Sequence, residues 1–84
     1  MLNILVEQLV CAIGIAEAQA DAGVKGMGVW AARLDSALNA IRIAPPRERG
    51  DVELAAHATL QKARRSCLSL DAALNSAAFD RVFG

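Results

Sequence analysis

Two clusters of helix-breaking residues divide this chain into three long stretches, each with helical periodicity. Gly23, Gly26 and Gly28 form the first cluster, and Pro45 and Pro46 followed by Gly50 form the second. Neither proline can continue a helix interior, because each lacks an N–H and crowds the preceding turn.

Before the first cluster, Asn3, Glu7, Gly14, Glu17 and Asp21 recur at steps of three, four or seven. They form the polar stripe of a helix over about residues 3–22, with Asn3 as its N-cap. Leu2, Leu5, Leu9, Ala12, Ile13, Ala16 and Ala20 lie opposite. Ile4, Cys11, Ile15 and Ala18 make a second apolar stripe, set off by Gln8 and Gln19. A surface helix normally shows one apolar face. Two faces imply a helix packed on both sides, central in a bundle or against a partner.

The second helix is expected over about 29–43, with Trp30, Leu34, Ala37, Leu38 and Ile41 on its buried face. Asp51 is the expected N-cap of the third, with Glu53 favourable in the first turn. Val52, Ala56, Leu60, Ala63, Cys67, Leu70, Leu74 and Ala77 then keep helical phase without a glycine or proline before Gly84. A single helix over 51–80 would span roughly 45 Å, against about 30 Å for the first. It therefore overhangs its neighbours, unless it bends or breaks near Ser66–Ser69 or docks its tail on another chain. Ser69 is the alternative cap for a separate last helix. The fold class is all-α: one domain, a small three-helix bundle or helical hairpin with a long C-terminal helix, and loops at 23–28 and 44–50.

The core of such a domain is thin. Residues are 55% hydrophobic but only 4% aromatic, so alanine carries much of the apolar content. Alanine favours helix and lets helices approach closely, but it buries little area, and the hydrophobic return is roughly 25 cal/mol per Å². Another protein or a second copy is expected to complete the burial.

The formal net charge is zero, which speaks against strong general affinity for nucleic acid or anionic membrane. The charges are unevenly placed: Glu7, Glu17 and Asp21 precede the first basic residue, Lys25. The segment "QKARR", Gln61 to Arg65, together with Arg47 and Arg49, makes the best candidate contact surface, since arginine pairs bidentately with carboxylate or phosphate. The apolar start has no basic leading region and carries Glu7 within it, so neither a secretory signal nor a membrane anchor is expected. Cys11 and Cys67 are expected as reduced thiols of a cytoplasmic protein, with a disulfide between the first and third helices as the alternative.

The stretch "AGVKGMGVW", residues 22–30, partly resembles the turn of a DNA-reading helix-turn-helix. Gln19, however, stands where that motif wants a small residue, and Gly26 and Gly28 fall where its recognition helix begins. As a phosphate loop its glycine spacing is reversed, and no strand precedes it. It reads as a joint, with Gly23 capping the first helix and Trp30 anchoring the second. An exposed Trp30 beside Met27 would turn that joint into a contact site. His57, the sole histidine, has Glu53 on its face, but a structural zinc site needs four ligands and a triad needs partners that nothing places beside it.

The layout of a proline-containing loop before a long Ala/Leu-rich C-terminal helix, over residues 44–84, resembles the small helical proteins of type III secretion, needle subunits and their co-chaperones. The doubly faced first helix departs from a needle subunit, and no functional residue carries over. The expected function is non-enzymatic protein–protein interaction, as an adaptor, a chaperone-like subunit or a small inhibitor of a larger complex. Contact residues are expected among Arg47, Arg49, Gln61, Arg64, Arg65, Phe79, Phe83, Met27 and Trp30. The alternative is a small nucleic-acid-binding module using the basic face of the third helix. No cofactor, metal or membrane enters either reading.

Overall fold

The computed structural model describes residues 2–83, with side chains for residues 4–77. Four helices follow one another: α1 (Leu2–Asp21), α2 (Met27–Ile43), α3 (Arg49–Ser66) and α4 (Leu68–Phe83). Among the described residues there is no strand, and the architecture is a small all-α bundle. It is flattened, with principal extents of 38 × 31 × 18 Å.

The first joint is built by glycine. Gly23 adopts φ +88°. Its N–H donates to the Ala20 carbonyl at 3.0 Å, and the Val24 N–H reaches back to the Gln19 carbonyl at 2.9 Å. That pair of bonds is a Schellman motif, which satisfies the last carbonyls of α1 and needs a left-handed residue at its hinge. Gly26, at φ 82°, is the N-cap of α2, and its carbonyl accepts from the Trp30 N–H at 3.2 Å. The helix thus starts at Met27, two residues before the apolar pattern places it, and takes Gly28 into a first turn whose N–H groups have no intrahelical acceptor.

The second joint is built by proline. Ala44 is extended (φ −65°, ψ 132°), as a residue preceding proline must be. The Glu48 N–H then closes a turn onto the Pro45 carbonyl at 2.9 Å, and the Val52 N–H donates to the Glu48 carbonyl at 3.1 Å. Glu48, not Asp51, is therefore the N-cap of α3. Asp51 lies inside the first turn, where its charge still faces the positive end of the helix dipole.

The third joint decides between the two readings of the C-terminal stretch: the helix expected over 51–80 is broken, within the Ser66–Ser69 segment. Cys67 leaves the helical region (φ −130°, ψ 91°) while its N–H donates to the Ala63 carbonyl at 2.9 Å. Its own carbonyl accepts from the Asp71 N–H at 3.0 Å, so one residue ends α3 and starts α4. A straight helix from Arg49 to Phe83 would run about 50 Å, beyond the 38 Å longest extent of the molecule. Turning back buries Leu70 and Leu74 instead of leaving them in water. The long helix on which the resemblance to type III secretion proteins rests is thus two helices.

The core draws on every helix: Leu9, Ala12 and Ala16 of α1, Leu34 and Leu38 of α2, Leu60 and Ala63 of α3, and Leu70 of α4. Among the described residues no polar or charged side chain is buried. α1 packs against all three other helices. Of its second apolar stripe, Cys11 and Ile15 pack partly buried against the core, whereas Ile4 is 58% exposed and Ala18 is also exposed.

Candidate functional site

The expected basic face is dispersed by the elbow at Cys67. Arg64 points across the joint and donates its Nε to Asp71 Oδ1 at 2.6 Å and its Nη2 to Asn75 Oδ1 at 2.6 Å. Asn75 Nδ2 in turn approaches Asp71 Oδ2 at 3.5 Å, closing a three-residue network. On a straight helix, positions 64 and 75 would stand about 16 Å apart along the axis, so this network exists only because the chain turns. Arg64 is thereby a brace of the fold, with its guanidinium engaged by neighbours in its own chain.

A second clamp ties the elbow to α1. Gln19 Nε2 donates to the Ser69 carbonyl at 3.3 Å, and Ser69 Oγ donates to Gln19 Oε1 at 3.0 Å. Gln19, which spoils the helix-turn-helix pattern, therefore has a structural task.

The remaining contact candidates scatter. Arg47 and Arg65 are exposed, Gln61 is half-buried, and the half-buried Arg49 has its Nε enclosed without an acceptor. Gln61, Arg64, Arg65, Leu68 and Asp71 line a cleft of about 410 Å³ at the elbow, with Leu68 79% exposed. Met27 is 1% exposed and belongs to the core. Trp30 is half-buried against the core, and the Arg33 guanidinium carbon sits 5.0 Å from its ring centroid. That cation–π contact covers the ring, so the joint does not present a bare tryptophan. Phe79 and Phe83 belong to α4, but their side chains lie outside the described residues.

Among the described residues, His57 is exposed, both cysteines are free and half-buried, and no three of His, Cys, Asp and Glu gather in metal-binding geometry. No described helix is long and apolar enough to cross a membrane.

One concavity was not anticipated from the sequence. A groove of about 530 Å³ runs between α2 and α3, with Ala32, Ser36 and Ala40 on one wall and Val52, Ala55 and Thr59 on the other. Its lining is mostly small and apolar, with the Ser36 and Thr59 hydroxyls and the Arg33 side chain as its polar groups. Val29 and Ile43, 55% and 82% exposed, stand at the two ends of the α2 wall. The available signal was the run Val29, Ala32, Ser36, Ala40 and Ile43 at helical spacing, which makes a second uncharged face on α2. No family model matches the chain, and neither a curated protein nor a solved structure matches it significantly.

Proposed function

We propose that this chain is a non-enzymatic protein-interaction module, an adaptor, chaperone-like subunit or small inhibitor, that associates with a larger protein or with itself. One observation carries the reading: large apolar side chains stay in water although the core beneath them is complete. Ile43, Leu68 and Leu54 are 82%, 79% and 71% exposed on separate helices. Fully burying one such side chain is worth about 1.5–3 kcal/mol. That return is available to a binding partner, since no described residue covers these side chains. A cytoplasmic setting accords with the two unpaired thiols. The nucleic-acid alternative is not carried forward, since Arg64 is held by Asp71 and Asn75.

The test is purification from the native host with a tagged chain, followed by mass determination of the intact complex. The proposal expects either a stoichiometric partner or a self-assembled species. It also expects that species to be lost in an Ile43→Glu, Leu54→Glu, Leu68→Glu variant whose helical circular dichroism is unchanged. A chain that stays monomeric and alone in host extract overturns the reading.

A further inference from the structure

We propose that the outer face of α2 is the seam of a homodimer in which two copies cross antiparallel at Ser36. This rests on the interaction-module reading and names its partner as a second copy of the chain. At 100° per residue, Val29, Ala32, Ser36, Ala40 and Ile43 fall within an arc of about 80°. The order is a palindrome in both spacing and size. Ala32 and Ala40 stand one turn either side of Ser36, and Val29 and Ile43 stand two turns away.

A two-fold axis through an antiparallel crossing sets each residue against the one equally far on the other side of the centre. Ser36 then meets Ser36, Ala32 meets Ala40, and Val29 meets Ile43. Small side chains at the crossing let the axes approach toward the short end of the 8–10 Å range, and the larger ones fill the gap where the helices diverge. A face that binds an unrelated partner has no need to read the same from both ends. An isologous face does.

The charges agree. Asp35 and Arg42 lie well off this arc, whereas Arg33 stands at its edge, lines the groove and sits over the Trp30 ring. The two-fold sets Arg33 against Asn39, so two like faces can meet without placing like charges opposite each other. The groove wall of α3, with Val52, Ala55 and Thr59, lies beside the seam and extends it.

The experiment measures the mass of the full chain in solution from about 5 to about 200 μM, for wild type, Ser36→Glu and Ser36→Cys. Wild type is expected to reach twice the chain mass, and Ser36→Glu, at an exposed position, to stay at one chain mass with unchanged helical content. Ser36→Cys is expected to form a disulfide-linked dimer in mild oxidant, well above the wild-type background from Cys11 and Cys67. A monomeric wild type overturns the seam, as does a Ser36→Glu variant that still dimerises or a Ser36→Cys variant that does not crosslink. If wild type is monomeric but the native host supplies a stoichiometric partner, the seam fails while the interaction-module reading stands.

Discussion

The joint between α1 and α2 and the elbow between α3 and α4 both reverse the course of the chain, by opposite means. The first uses residues that tolerate the turn. Gly23 and Gly26 hold φ of 88° and 82°, and local backbone bonds close the motif. The second uses Cys67, an ordinary residue flanked by Ser66 and Leu68, with no glycine or proline near it. What holds it is distant: Asp71 and Asn75 reach Arg64 from the next helix, and Gln19 reaches Ser69 from α1. A turn can thus be specified by its own residues or imposed by what the turned chain then touches. Only the first kind leaves a mark in a local pattern.

The largest expected effect removes the burial that rewards the elbow. Leu70 is fully buried three residues past Cys67. Leu70→Ala should cost about 3 kcal/mol in urea unfolding and speed amide exchange through the first turns of α4. A loss below about 1 kcal/mol would mean that polar contacts alone hold the elbow.

Next comes the glycine joint. A Cβ at Gly23 meets nothing within 4 Å, so the strain of a substitution there is one of backbone conformation alone. Gly23→Val should cost about 1–2 kcal/mol. Gly28→Ala, in the same joint but at ordinary helical φ, should instead stabilise by about 0.5 kcal/mol. If thermal melts show the two substitutions moving stability the same way, the joint is not specified by its left-handed residue.

The smallest effect concerns the elbow's ion pair. Arg64 and Asp71 are 25% and 35% exposed. A double-mutant cycle of Arg64→Ala with Asp71→Ala should give a coupling below about 1 kcal/mol that shrinks between low and molar salt. A salt-independent coupling would assign the contact to packing of the arginine stem. The network would then choose the direction of the turn without contributing measurable electrostatic stability.

The same division explains what could be read of the candidate sites. The doubly faced α1 was legible because its two stripes follow helical spacing, and the bundle does place it against three helices. The basic cluster was legible as composition but not as surface, because whether Arg64 faces water depends on a bend that its neighbours do not announce. The α2/α3 groove escaped notice for a related reason. Alanine and serine carry weak hydropathy signals, and a concavity arises from how far apart two helices sit.

By itself the sequence determined that this chain is helical, where its first two joints fall, and that Leu9, Ala12, Ile13 and Ala16 of α1 and Leu34, Leu38 and Ile41 of α2 face inward, though not that Met27 and Ala31 do. Those features follow from backbone propensity, from the φ preferences of glycine and proline, and from a 3.6-residue period, all of which act over a few residues. Helix length pointed to a break near Ser66–Ser69 as one of the alternatives; the tertiary structure chose it, at Cys67, and with it decided the inward turn of Arg64 and which apolar side chains stay uncovered. These depend on burial and on hydrogen bonds made only once the chain has turned, from Arg64 to Asp71 and Asn75 across the elbow and from Gln19 to the distant Ser69, and such energies belong to the assembled bundle.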